Sequence, residues 1–125
     1  MVKREILIDS ISKAQGPYVQ GLVSNNRIYS SQLGLDPEGN LVEGGITNQT
    51  RQTMDNFKAV LEAEGMSMDD IVQCTIYIAD INYIPQMNEV YIQYFQKPLP
   101  SRCCVQVAGM AGGALVEMSI IAERS

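Results

Sequence analysis

The 125-residue sequence contains no histidine and no tryptophan, and it contains only three cysteines. Without histidine the chain cannot form a Ser-His-Asp triad, a Cys-His pair or an imidazole metal ligand. It also lacks the side chain that ordinarily titrates near pH 7. Any proton transfer must therefore use carboxylates, thiols, tyrosines, lysines or bound water, which leaves few enzyme mechanisms open.

Positive charge is also scarce. Nine Lys and Arg residues stand against fourteen Asp and Glu residues, giving a net charge of −5, and the basic residues form no run. Because affinity for nucleic acid depends on basic side chains that displace counterions, nucleic acid is not the expected partner. Asp69 with Asp70, and Glu62 with Glu64, fit solvated surfaces better than cation ligands, so we expect no metal site.

Long apolar runs are absent as well. No stretch approaches the length of a membrane span, and the first residues, MVKREILID, contain no apolar signal core. Cys74, Cys103 and Cys104 leave one thiol unpaired, and the adjacent Cys103 and Cys104 would point to opposite sides of a strand. These features predict a soluble cytoplasmic protein with reduced thiols and no contact with membranes.

The residues that are present suffice for one globular domain over residues 1–125, since 46% are apolar and 18% are charged. Turn residues and hydrophobic periodicity predict the order β-β-β-α-β-α-β-β. The predicted strands cover 5–9, 19–23, 27–33, 71–79, 103–108 and 114–122, and the predicted helices cover 47–65 and 80–96. This order is typical of an α+β two-layer sandwich, a mixed sheet with two helices on one face. Because the other face is also partly apolar, we expect further copies of the chain to cover it.

The last two strands carry the charges that first suggest a site. Their period of two predicts that one set of side chains packs against the helices: Cys103, Val105, Val107, Val116, Met118 and Ile120. The other set would share the open face: Arg102, Cys104, Gln106 and Glu117. Two interpretations stay open: a structural Arg102–Glu117 ion pair at an interface, or a small pocket in which Arg102 binds a carboxylate and Glu117 handles a water or a proton.

Four segments resemble one known family: Gly16-Pro17-Tyr18-Val19-Gln20-Gly21, Tyr29-Ser30-Ser31-Gln32-Leu33-Gly34, Pro100-Ser101-Arg102-Cys103-Cys104-Val105-Gln106-Val107-Ala108-Gly109 and Leu115-Val116-Glu117-Met118. They are similar to the reactive intermediate deaminase (RidA, or YjgF-like) family over nearly the whole chain. The resemblance implies a chorismate-mutase-like α+β homotrimer with clefts between subunits.

The resemblance also implies an activity that needs no cofactor. Members of the family act as 2-iminobutanoate/2-iminopropanoate deaminases, which hydrolyse reactive enamines and imines such as 2-aminoacrylate to 2-keto acids and ammonia. By this resemblance Arg102 binds the substrate carboxylate and Glu117 positions the attacking water. The other matching pocket positions are Tyr18, Ser30, Asn88 and Cys104, and Ser31 occupies a further substrate-binding position. Since an imine carbon is already electrophilic, the absence of histidine is consistent with this reaction.

Two departures and two alternative functions remain. Ser31 replaces a glycine whose backbone approaches the ligand in many members, and Met110-Ala111-Gly112-Gly113 lacks the proline and basic residue common in that loop. Both bear on substrate preference more than on the reaction class.

A non-catalytic, regulatory trimer that binds small carboxylates would use the same Arg102. A ribonuclease or translation inhibitor fits less well, because the chain is acidic and offers neither a basic groove nor a histidine pair.

Overall fold

The computed structural model describes residues 2–125, and its elements follow the predicted order. They are β1 (Arg4–Ile6), β2 (Gly21–Ser24), β3 (Arg27–Leu33), α1 (Gly45–Glu62), β4 (Ile71–Ile78), α2 (Ile84–Tyr91), β5 (Ser101–Gln106) and β6 (Val116–Glu123). The strands form one sheet in the order β1-β2-β3-β6-β4-β5. Only the β4–β5 pair is parallel among the described strands, so the sheet is mixed. The predicted α+β sandwich, with two helices on a mixed sheet, is confirmed.

The first helix begins two residues earlier than the sequence predicts. The predicted helix starts at residue 47, whereas α1 starts at Gly45, after Gly44 with a φ of 105°. A Cβ on Gly44 would collide with the Asn48 side chain, and this left-handed backbone conformation favours glycine. The Asn48 amide donates a hydrogen bond to the Glu43 carbonyl at 2.9 Å. Asn48 therefore stabilises the turn that precedes the helix and does not cap the N–H groups of the first helical turn.

The core lies between the helices and one face of the sheet. Phe57 of α1, Met87 of α2 and Met118 of β6 are fully buried there. Along β6, buried and half-buried residues alternate without exception, and Val116, Met118 and Ile120 face the core as predicted. Burial of each such side chain stabilises the fold by about 1.5–3 kcal/mol.

The predicted faces of β5 are wrong. This edge strand pairs in parallel with β4, and the register places Arg102 beside Cys74 and Cys104 beside Ile76. Since Cys74 and Ile76 are buried in the core, Arg102 and Cys104 belong to the helix-packed face, and Gln106, one period further along, shares it. Val105 instead lies on the open face and is 42% exposed.

The open face is the side of the sheet that no helix covers within the chain. Register places these side chains on it: Tyr29, Ser31, Leu33, Thr75, Tyr77, Cys103, Val105, Glu117, Ser119 and Ile121. Most are apolar or uncharged, and the Ser31 and Ser119 hydroxyls hydrogen-bond to each other at 2.7 Å. Coverage of this face by further copies stays a prediction. Within residues 2–125, no helix combines the length and apolarity that crossing a membrane requires.

Candidate functional site

The predicted site residues fall into two groups on different sides of the sheet. The first group lines a cleft of about 460 Å³ between the 12–20 segment and the adjoining parts of β3 and β6. This cleft brings together Tyr18, Ser31 and Glu117, with Lys13 and Ala111 at its walls. Its volume lies within the range of small-molecule sites.

Glu117 occupies the sheet part of this cleft. It lies on the open face of β6, between Leu33 of β3 and Tyr77 of β4. The three ion pairs within residues 2–125 are Arg4–Glu64, Lys13–Asp9 and Arg27–Glu123, so none of them engages Glu117. A half-buried carboxylate without a cationic partner can accept a proton or orient a water in the cleft.

The side chain of Gln20 stabilises the 12–20 segment, which forms the wall of the cleft that contains Tyr18. Gln20 is only 3% exposed. The carboxamide oxygen accepts from the Ile8 N–H at 2.7 Å, and the amide nitrogen donates to the Ile8 and Ser12 carbonyls at 3.0 and 2.9 Å. This side chain thus acts as a neighbouring strand would, by pairing with backbone groups. Tyr18, two residues earlier, is 73% exposed and free to contact a ligand or another chain.

Ser30 and Ser31 have different environments. Ser30 is buried, and its hydroxyl donates to the Gln20 carbonyl at 2.6 Å, so this hydroxyl braces β3 against the wall of the cleft. Ser31 lines the cleft from the open face. Ser31 sits in regular strand backbone, so replacement of glycine there requires no unusual backbone conformation. Its effect is confined to the added hydroxymethyl group.

The second group lies between α2 and β5, on the helix-packed face. The guanidinium carbon of Arg102 is 4.9 Å from the centre of the Tyr91 ring. Arg102 takes no part in the ion pairs within residues 2–125. The Asn88 Oδ1 atom and the Tyr91 hydroxyl are both buried without a hydrogen-bond partner in the described chain. Cys104 is half-buried and packs against the core.

This second group can bind an anion but offers no activated nucleophile. Burial raises the pKa of the Cys104 thiol, although the nearby Arg102 charge acts in the opposite direction. Burial likewise raises the pKa of Cys74 and of Tyr91 to about 12. All three groups are therefore protonated at neutral pH, and a neutral thiol is a poor nucleophile. The free guanidinium is the feature suited to a carboxylate.

Two residues that support the site were missed by sequence reasoning. Nothing in the sequence distinguishes Tyr91 from a core residue of the second helix, although its spacing of three from Asn88 places both on one face of α2. Gln20 lies in one of the family-like segments, but only the folded chain shows that its side chain hydrogen-bonds to the backbone of Ile8 and Ser12, twelve and eight positions earlier. Within the part of the chain that is described, we find no group of three or more acidic or thiol side chains able to hold a metal ion.

Comparison with known proteins identifies relatives over the whole chain. The sequence model of a family described as endoribonuclease L-PSP matches residues 8–124. A RutC family protein of Pyrococcus abyssi is 40% identical over 99% of this chain and 99% of its own length. The 2-iminobutanoate/2-iminopropanoate deaminase of Capra hircus is 40% identical over 98% of this chain and 90% of its own. The solved structure of E. coli TdcF with bound serine has a TM-score of 0.91 at 35% identity and covers 98% of this chain and 99% of that one.

Proposed function

Because the chain belongs to the endoribonuclease L-PSP (YjgF/RidA) family, we propose that it is a deaminase that hydrolyses 2-imino acids, and their enamine tautomers such as 2-aminoacrylate, to 2-keto acids and ammonia. The observation that carries this proposal is the unpaired guanidinium of Arg102, held over the ring of Tyr91; Asn88, on the same helix face as Tyr91, has a buried oxygen without a partner in the described chain. The 40% identity to a curated imine deaminase supports it. We place the reaction in the cytoplasm.

The proposed active site is shared between copies of the chain. Arg102 and Glu117 face opposite sides of the sheet, so one small substrate cannot contact both within one chain. We propose a cyclic homotrimer in which the sheet edge of one copy, where β5 carries Arg102 beside α2, packs onto the open face of the next copy, where Glu117 lies. Each site then combines two half-sites, one made of Tyr18, Ser31 and Glu117 and the other of Asn88, Arg102 and Cys104.

In this site the substrate supplies most of its own reactivity. Arg102 binds the carboxylate through paired N–H donors and fixes the imine carbon in place. Glu117 accepts a proton from a water as its oxygen adds to that carbon and passes this proton to the imine nitrogen, which gives a tetrahedral amino alcohol. Glu117 then takes the hydroxyl proton and delivers it to the nitrogen as the C–N bond breaks, so that ammonia leaves and the 2-keto acid remains. No residue forms a covalent bond to the substrate, in keeping with the neutral Cys104 thiol.

The reaction can be tested by coupling to an enzyme that produces the imine. A pyridoxal-phosphate serine or threonine dehydratase releases 2-aminoacrylate or its four-carbon homologue, and formation of the keto acid is followed with and without the protein. We expect wild type to accelerate keto-acid release, and Arg102→Ala and Glu117→Gln each to abolish most of that acceleration. Arg51→Ala and Glu62→Gln, which lie in a separate groove formed by α1, are matched controls. Equal rates with wild type and Arg102→Ala would refute the proposal.

A binding protein without turnover is the second candidate, and one observation favours it: a structural relative carries bound serine. Such a binder would need Arg102 but would have no activity to lose at Glu117. Binding of 2-oxobutanoate, measured by calorimetry, separates the two. If wild type binds the keto acid, shows no acceleration, and keeps its affinity in Glu117→Gln, the chain is a binder. The endoribonuclease description of the family finds less support, since the net charge is −5.

A further inference from the structure

We propose that Tyr91 is a positioning residue for Arg102, and that its aromatic ring holds the guanidinium in the orientation that receives the substrate carboxylate. This inference rests on the proposed function in one respect, the assignment of Arg102 to carboxylate binding. Tyr91 would then set the affinity for substrate without touching it. The contact that suggests this role is the 4.9 Å separation between the Arg102 Cζ atom and the ring centre.

The Tyr91 ring is a rigid support. Tyr91 is 3% exposed, and its ring packs against Phe95 with centres 4.8 Å apart and planes tilted by 53°. Arg102, by contrast, is an exposed residue on an edge strand. A long side chain in that position would otherwise sample many rotamers and lose this freedom when it binds a ligand. Contact with a fixed ring reduces that loss before the ligand arrives.

The ring also orients Arg102 while leaving its positive charge and its N–H donors available to a ligand. A neighbouring carboxylate would hold the guanidinium, but it would neutralise the charge and occupy N–H donors. No ion pair within residues 2–125 does so. The face of an aromatic ring attracts a cation through its electron density, so contact with the Tyr91 ring neither neutralises the Arg102 charge nor places a carboxylate oxygen on its N–H donors. An aromatic support is therefore suited to an arginine that must bind and release an anion.

The Tyr91 hydroxyl is not what holds the arginine. In addition to burial, the Cys74 thiol and the Arg102 guanidinium shift the pKa of the hydroxyl by charge and by hydrogen-bond interaction, in opposite directions, yet neither completes a hydrogen bond to it within the described chain. Removal of the hydroxyl should therefore change the affinity for substrate little, whereas a loss of electron density from the ring should weaken that affinity strongly. These two changes can be made separately, which distinguishes the ring from the hydroxyl as the acting group.

The test replaces Tyr91 by Phe and then by mono-, di- and trifluorophenylalanine, which withdraw electron density with little change in volume. KM and kcat are measured in the dehydratase-coupled assay, and the Kd for 2-oxobutanoate by calorimetry. We expect Tyr91→Phe to stay within about twofold of wild type, and KM and Kd to rise stepwise to about tenfold for the trifluoro ring, with kcat little changed. The same series at Phe95, which contacts Tyr91, is the matched control and should leave KM unchanged.

The same Tyr91 substitutions in the Arg102→Ala variant show whether Tyr91 affects ligand binding through Arg102. If Tyr91 acts through Arg102, fluorination should not weaken the residual keto-acid binding of that variant. In the protein with intact Arg102, KM and Kd values that do not change across the fluorinated series, with a normal circular dichroism spectrum, would overturn the inference. The proposed function would still stand in that case. If wild type neither turns over imine nor binds keto acid, the proposed function fails instead. The melting temperature then tests the contact itself: it should fall with fluorination in wild type and not in Arg102→Ala, and an equal fall in both would overturn the inference.

Discussion

Arg102 and Glu117 project from opposite faces of one sheet, although only β4 separates their strands. Arg102 pairs with Cys74 and Glu117 pairs with Tyr77, and an odd spacing of three along β4 puts these partners on opposite faces. Cys74 is buried against the helices, whereas Tyr77 and Glu117 lie on the open face. A catalytic role for both residues on one substrate therefore requires at least two copies of the chain.

A charge on the open face should separate the copies. Ser119 lies on this face and hydrogen-bonds to Ser31, so Ser119→Glu would bury an unpaired carboxylate in the proposed contact. We expect sedimentation to give a mass near three times 13.8 kDa for wild type and a monomer for Ser119→Glu, with loss of imine hydrolysis. Gln86→Glu on the exposed side of α2 adds the same charge and should stay assembled. An assembled, active Ser119→Glu protein would argue against the open face as the contact.

Loss of the Gln20 carboxamide should loosen the wall of the cleft. Gln20→Met keeps the length of the side chain but leaves the Ile8 and Ser12 backbone groups without their three hydrogen bonds. We expect the free energy of unfolding, measured with urea, to fall by about 2 kcal/mol. Gln15→Met, an exposed position in the same segment, is the control and should be close to neutral. Equal stabilities of the two variants would mean that the bonds of Gln20 contribute nothing net.

The buried thiol of Cys74 should make the fold sensitive to alkaline pH. Burial raises the pKa of Cys74 from 9.0 to about 12, so the folded chain keeps the proton that the unfolded chain loses. The stabilisation is complete below pH 9 and declines as pH rises from about 9 towards 12. We expect the urea midpoint to fall over this range, and Cys74→Ala to show a shallower fall. Cys103→Ser, at an exposed thiol, should keep the slope of wild type, and the same shallow slope in both variants would contradict the assignment to Cys74.

The sequence predicts the order of the elements and the faces of β6, because β6 alternates buried and half-buried residues without interruption. The faces of β5 could not be predicted in the same way. It is an edge strand whose six residues are exposed or only half-buried, so apolar residues occur on both faces. Only its parallel register with β4 decides which face holds Arg102, and such non-local pairing leaves no periodic signal.

The candidate site was predicted as a set of residues but not as an arrangement. The resemblance to the family predicts Tyr18, Ser31, Asn88, Arg102 and Glu117 as site residues, and the fold places them in two groups on different sides of the sheet. The supports of these half-sites were not predicted, because the contacts of Gln20 and Tyr91 depend on tertiary structure. A buried glutamine and a buried tyrosine have no local pattern that distinguishes support of a site from ordinary packing.

Mixing two inactive variants tests the shared site most directly. Arg102→Ala and Glu117→Gln are unfolded together and refolded in equal amounts, so that mixed assemblies form. A site with intact Arg102 from one copy and intact Glu117 from another then reappears, and we expect about a quarter of wild-type activity from random mixing across such an interface. Each variant refolded alone is the control and should stay inactive. A mixture no more active than its parents, in assemblies shown to be mixed by mass spectrometry, would contradict a site shared between copies.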